Sequence, residues 1–387
     1  MNTPEVLIAG AGIGGLTAAI ALRAKGIDAE VYEAATEQRC TGTALGLASN
    51  AVKVLRALGI DLGTGDCGQP LERFDVRTHD GKLIRSLPVR EITAELGDPI
   101  VSIHRNDLIR TLEQAVGDLP VRYGAEIVDF EIGDNGVSVT CADGRSTHAD
   151  VLVGADGIRS VVRAKLSGDF PPTGHGYVCW LATVPFSHPR MIRGYCGHYW
   201  GRGQRFGLID IGGGMAYWWG TKNMPVARAG DWRGGKAEIL AAFDGWAPEI
   251  AEVIEQTPQD AIVSVPAQDR SFLERWGTGP VSLLGDAAHP MQTGLSQGAG
   301  CAVEDGYVLA EAIARVSDPV AALRKYEDAR RGRTRMLVRR SRRYSKLEQV
   351  QNPVGGVARN LGLRCAPTGA LRRLNVRPMR FDLAWEA

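Results

Sequence analysis

Three short segments combine residue types and spacings that can do chemistry. The first is Gly10-Ala11-Gly12-Ile13-Gly14-Gly15, in which Gly10, Gly12 and Gly15 fit G-x-G-x-x-G. Glycines at these places allow a tight turn, let the main chain approach a pyrophosphate and let a helix pack closely on a strand. The N-terminus of that helix offers free N–H groups and a partial positive charge. Glu33, at the end of the next strand, is placed to accept hydrogen bonds from a ribose. Together they imply a dinucleotide site, without separating NAD from FAD. The second segment, Gly154-Ala155-Asp156-Gly157-Ile158-Arg159-Ser160-Val161-Val162-Arg163, sets a carboxylate and two arginines among glycines. An ordinary loop closed by an ion pair reads the same way. The third runs from Leu283-Leu284-Gly285-Asp286 through His289 and Thr293 to Gly294-Leu295-Ser296-Gln297-Gly298-Ala299-Gly300, then into a helix carrying Glu304 and Asp305. There a strand ends at an acid, small residues let a flat ligand approach the backbone, and a helix N-terminus follows. Such a terminus stabilises negative charge by about 0.3–1 kcal/mol at exposed sites.

These segments need particular elements to hold them. Residues 4–9 read as a buried strand, a helix follows to Gly26, and Ala29 to Glu33 reads as a second strand, which makes a βαβ opening. Further helices are expected from Ser49 or Asn50 to Leu58 and from Arg105 to Val116. Ala125 to Ile132, Val137 to Cys141 and Ala149 to Val153 read as a meander. Extended segments rich in Trp, Tyr and Phe fill 172–265, and Asp318-Pro319 starts a long helix reaching about residue 347. The fold class is α/β, with a Rossmann-like domain assembled from 1–70, 100–168 and 278–347. A β-rich domain is inserted as 71–99 and 169–277, and 348–387 forms a C-terminal helical segment.

Composition narrows the class. The 387 residues are 44% hydrophobic and 23% charged, ordinary for a globular protein and against global disorder. No uncharged apolar run approaches the roughly 18 residues of a membrane span. None of the seven cysteines is paired at C-x-x-C spacing, so no metal site or disulfide framework is indicated. With no basic lead-in at the N-terminus, a reducing cytoplasmic setting is expected. The net charge of +1 hides an imbalance: from Arg324 onward 17 Lys and Arg face 5 Asp and Glu, a net of +12, leaving −11 before it. Arg331, Arg335, Arg339 and Arg342 recur at helical spacing, so a solvated stripe, or one packed on an acidic domain, is expected rather than a nucleic-acid or membrane partner.

In this order and spacing the three motifs resemble the class A (single-component) FAD-dependent aromatic monooxygenases, the para-hydroxybenzoate hydroxylase-like superfamily. Ser102-Ile103-His104-Arg105-Asn106-Asp107-Leu108 is similar to that family's S-x-H-R-x-x-L segment. The resemblance implies a GR2-type FAD-binding domain with an inserted substrate domain. It makes Gly10, Gly12, Ile13, Gly14, Gly15, Glu33, Arg39, Arg105, Asp156, Gly285 and Asp286 cofactor-binding. It places Gly294, Gln297, Gly298 and Ala299 in the loop at the flavin ring. It implies NADPH or NADH as a transient electron donor, O2 as co-substrate, and hydroxylation of an aromatic or polycyclic small molecule through a flavin C4a-hydroperoxide, by a monomer or homodimer. A related flavin reductase or tailoring enzyme that inserts no oxygen, or a flavin-bearing protein that sequesters a ligand, remains the alternative.

The substrate side is expected along 177–220. Leu181, Tyr195, Tyr217 and Trp219 are the candidate pocket residues, although core packing of a β domain would use aromatics similarly. His198 and Arg205 are the candidate catalytic side chains for orienting or deprotonating a phenol. Many relatives carry Arg-Gly after the aromatic of the first inserted strand, where this chain has Leu181-Ala182. That difference points to a less anionic substrate.

Overall fold

The computed structural model describes residues 5–37, 43–62 and 68–384. Its centre is a five-stranded parallel sheet, in the order 281–283, 151–154, 6–9, 29–33, 121–123. Val6–Ala9 and Val151–Gly154 are buried at every position, as strands of a parallel sheet covered on both faces are. The opening helix, Ile13–Arg23, lies against the helix Gly298–Arg315. At the crossing a Cβ on Gly306 would stand 2.7 Å from the nitrogen of Ala18.

The expected three-stranded meander is present, but its third strand is 146–149 rather than 149–153. Ile127–Gly133, Gly136–Cys141 and Ser146–Ala149 form a three-stranded antiparallel sheet. After Asp150 the chain turns into the central sheet as Val151–Gly154, paired with Val6–Ala9. The four apolar or small residues in a row suit a strand covered on both sides better than one facing water.

A second sheet of seven strands has the order 263–269, 173–185, 215–223, 204–210, 195–200, 73–78, 83–87. All its pairings are antiparallel except that of Tyr195–Trp200 with Arg73–Thr78. Successive side chains alternate between its faces. The outer face carries Val178, Trp180, Ala182, Phe206, Leu208 and Trp218, fully buried beneath the helices Lys236–Ala242 and Pro248–Gln256. Burying a large apolar side chain stabilises by about 1.5–3 kcal/mol, so this aromatic layer keeps the sheet rigid. The inner face, with Leu181, Tyr217, Trp219, His198 and Arg205, looks toward the third motif: Tyr177 donates to Gln292 at 3.3 Å and Arg205 to Thr293 at 3.2 Å.

The long helix spans Pro319–Glu348, with Asp318 accepting from the Ala321 amide at 2.8 Å and proline in the first turn, as the sequence predicts. Its arginines are less solvated than the stripe reading expects. Arg342 grips the buried Asp269 with both arms, Arg335 pairs with Glu274, and Arg331 with Asp328. Two further helices, Pro353–Cys365 and Thr368–Met379, end the described chain. No helix among the described residues is long and apolar enough to cross a membrane.

Candidate cofactor and substrate site

The glycine loop joins the first strand to the opening helix at a point where side chains have no room. Gly10 has φ +108°, and a Cβ there would stand 2.6 Å from the Ala155 carbonyl oxygen. A Cβ on Gly15 would meet the Gly10 oxygen at 2.0 Å. Gly12 caps the helix without a side-chain hydrogen bond, so the amides of Ile13, Gly14 and Gly15 open the helix with no protein side chain capping them. Glu33 holds the loop from behind: its Oε2 accepts from the Ala11 amide at 2.9 Å and its Oε1 from the Ala35 amide at 2.8 Å. Each carboxylate oxygen keeps a further lone pair. Arg39 lies outside the described residues.

The second motif is not closed by an ion pair. Asp156 Oδ2 accepts from the amides of Val161 and Val162 and so caps the short helix Val161–Ser167. Its Oδ1 is buried without a partner, and burial holds the carboxyl above the usual range. Arg163 turns away from Asp156 and donates to the carbonyls of Ala287, Ala288 and Ser271. The second motif thereby supports the third.

In the third motif Gly285 (φ +61°) lets the chain turn, and Asp286 lies exposed beside it. The protein mass around Asp286 raises its carboxyl above the ordinary range, with His289 and Arg105 acting the other way. Beneath runs a buried polar network. Asp305 accepts from the Gly285 amide, His289 and Arg330, while Glu304 accepts from Arg330, Arg333 and Asn50. Asn50 also donates to Gln297 Oε1 at 3.0 Å, leaving Gln297 Nε2 buried and unpartnered. Ser296 is the only non-glycine among the described residues with positive φ, +50°, a conformation L-residues visit at a cost of roughly 1–2 kcal/mol. It swings the chain into the helix Gly298–Arg315, which has no side-chain cap. Gly294 rests on the long helix, where a Cβ would stand 2.7 Å from Ser345 Oγ.

These residues fit an FAD. Two uncapped helix N-termini, an accessible acid and arginine at Asp286 and Arg105, and buried polar atoms without partners on Asp156 and Gln297 are groups that a dinucleotide would satisfy.

On the substrate side, Leu181 and Trp219 are directly paired, half-buried, on neighbouring strands. Trp219 lies flat over Gly207, its ring 5.6 Å from Tyr217 and 5.4 Å from His198. Tyr217 is within electrostatic reach of both Arg105 and Arg205, which puts it where the cofactor side meets the substrate side. Tyr195 does not join them. Strand alternation turns it to the outer face, where its hydroxyl accepts from Arg77 at 3.1 Å. His198 and Arg205 are brought together, with Arg205 Nη1 and His198 Nε2 3.5 Å apart. Burial, with Arg205 and Arg359 nearby, pushes the imidazole well below its usual range, so it is neutral.

Glu348, absent from the sequence reading, completes this group. It ends the long helix, is wholly buried, and accepts from Arg205 Nη1 at 2.5 Å. Burial pushes its carboxyl up to about 7 against the pull of Arg205. Its Oε1 has no hydrogen bond and lies 3.7 Å from His198 Nδ1. No local pattern marks this acid, because its partner is 143 residues away.

Comparison with known proteins places this geometry. A family model described as "FAD binding domain" matches residues 3–341. The chain is 39% identical to aurachin C monooxygenase/isomerase of Stigmatella aurantiaca, over 90% of each chain. It is 33% identical to chloroplastic zeaxanthin epoxidase of Nicotiana plumbaginifolia over 84% of its own length, spanning 52% of that longer protein. Klebsiella pneumoniae HpxO, solved with FAD and uric acid, superposes with a TM-score of 0.89 at 28% identity, covering 97% of this chain and 96% of that one.

Proposed function

The chain belongs to the FAD binding domain family, and on that premise we propose that it is an FAD-dependent monooxygenase. In this reading it inserts an oxygen atom into an aromatic or polycyclic small molecule, with NADPH or NADH as electron donor and O2 as co-substrate. The observation that carries the substrate side is the placement of Tyr217, Trp219 and Leu181 on the sheet face turned toward the Asp286–Gly298 segment, which on this reading holds FAD. Unpaired thiols at Cys141, Cys179, Cys196, Cys301 and Cys365 support a reducing, cytoplasmic setting.

FAD, when bound, supplies hydride acceptance and O2 activation. The protein's share is positioning and shielding. The amides at the start of Ile13–Arg23 would hold the pyrophosphate, Glu33 and Asp286 would accept from sugar and ribityl hydroxyls, and Arg105 would balance phosphate charge. Gly298, Ala299 and the free Gln297 amide would hold the ring of a bound flavin, whose negative charge the uncapped helix N-terminus would stabilise. Trp219, Tyr217 and Leu181 form a largely apolar wall for an aromatic substrate and exclude water, as oxygen transfer requires. Neutral His198 and Arg205 stand at its polar end and orient a substrate oxygen or nitrogen.

The test is to purify the FAD-loaded protein and follow NADPH and NADH oxidation across an aromatic library, with mass spectrometry of products. Ligand-stimulated oxidation with a product heavier by one oxygen is expected. Stimulated oxidation without that gain would replace the reading by a reductase, and the absence of any stimulation by a sequestering protein.

A further inference from the structure

We infer that Glu348 acts through Arg205 as the specificity-determining residue that sets the substrate site for uncharged aromatics over aromatic carboxylates. The inference rests on the aromatic-substrate reading above and deepens it. An unspent arginine at the polar end of an aromatic pocket is a ready receptor for a carboxylate, since its planar fork matches two carboxylate oxygens. In this chain both terminal nitrogens of the fork are already engaged, and only the buried Nε has no partner. Arg205 gives Nη1 to Glu348 at 2.5 Å and Nη2 to Thr293 Oγ1 at 3.2 Å, and is itself 3% exposed.

The position of the acid is costly in three respects. Glu348 closes a 30-residue helix, where the helix dipole disfavours negative charge. It is wholly buried, which penalises an ion. One of its oxygens has no hydrogen bond. A glutamine of the same shape would still accept from Arg205 and would escape the first two costs. What only the acid supplies is a charge opposite to that of Arg205. The other inner-face residues named above add none: Leu181 and Trp219 are apolar, and His198 is held neutral by burial. A carboxylate-bearing ligand would compete with Glu348 for Arg205 and would meet the bare Oε1 beside His198. An uncharged ligand meets neither obstacle.

The probes are salicylate and salicylamide, which share ring and hydroxyl and differ in carboxylate against carboxamide. Each is titrated into FAD-loaded wild type and Glu348→Gln at pH 7.5, above the value of about 7 to which burial raises Glu348, so that the acid is mostly ionised. The flavin absorbance change is the readout, with FAD content and thermal midpoint as folding controls. Wild type should bind salicylamide more tightly than salicylate. E348Q should bind salicylate at least about tenfold more tightly than wild type does, the size expected of a charge-assisted hydrogen bond gained, with salicylamide nearly unchanged. Glu348→Met, similar in length and apolar, carries the same expectation should E348Q not accumulate. A merely structural role for Glu348 would shift both probes alike, and that result, or an unchanged preference, overturns the inference alone. If neither probe perturbs the flavin in any of these proteins, the aromatic-substrate reading falls and takes the inference with it.

Discussion

Arg163 Nη1 lies 2.9 Å from the carbonyl oxygen of Ala287, 124 residues further along the chain. The same guanidinium also reaches Ala288 and Ser271, so one buried side chain fixes the turn that presents Asp286. Replacing it with methionine keeps the length and strands those acceptors. Arg163→Met should cost on the order of 2–4 kcal/mol, since buried acceptors lose a charged donor. It should also weaken FAD binding. Thermal denaturation with and without added FAD measures both. Lysine, lacking the planar fork, should restore only part of the loss.

The glycine loop makes a sharper prediction. Gly15→Ala sets a methyl group 2.0 Å from the Gly10 oxygen, a clash between main-chain neighbours that no rotamer relieves. The variant should emerge from gel filtration without its yellow cofactor while keeping near-native far-UV circular dichroism. A fully loaded G15A protein would show that the loop does not carry the pyrophosphate.

Asp305 supplies a pH dependence. Burial pushes its carboxyl up, but His289 and Arg330 outweigh that and hold it at about 2, below the ordinary 3.8. A lowered acid contributes stability that is present above its unfolded value and is lost as pH falls through the folded one. Wild type should therefore lose this contribution between about pH 4 and pH 2, whereas Asp305→Asn should lack it throughout. D305N takes one of two carboxylates from Arg330, which keeps Glu304, and should be destabilised by about 1–3 kcal/mol at neutral pH. Urea denaturation across that pH range gives both quantities.

Trp219 tests the shielding of the site. Removing its ring in Trp219→Ala opens space above Gly207 beside His198. Water entering there should divert oxygen chemistry to hydrogen peroxide. The fraction of NAD(P)H consumption recovered as oxygenated product should fall several-fold, while FAD content stays unchanged. Coupled product and peroxide assays on the same sample check it.

What the sequence could disclose followed from how local each signal is. The Gly10–Gly15 loop, its flanking strand and helix, and the Asp318-Pro319 start of the long helix are encoded within a few residues, and the structure holds them as expected. Tyr195 lies on the face opposite to the one expected because all six residues of Tyr195–Trp200 are buried, and burial on both faces erases the pattern that would orient it. Arg163 resembled half of a local ion pair with Asp156; its partners are carbonyls beyond residue 270. Glu348 was silent altogether, since nothing near it in sequence marks an acid that answers Arg205. Long-range polar pairing is where single-sequence reasoning stops.

One feature of the long helix bears on how such proteins can be recombined. Its middle carries Arg330 beneath the Asp286 turn, its last turns support Gly294, and its final residue grips Arg205 in the other sheet. A chimera that imports a foreign 169–277 segment to change substrate range would therefore separate Arg205 and Asp269 from Glu348 and Arg342. Grafts of that sheet should succeed only when the last turns of the helix, with Arg342 and Glu348, travel with it while Arg330 and Arg333 stay with Glu304 and Asp305.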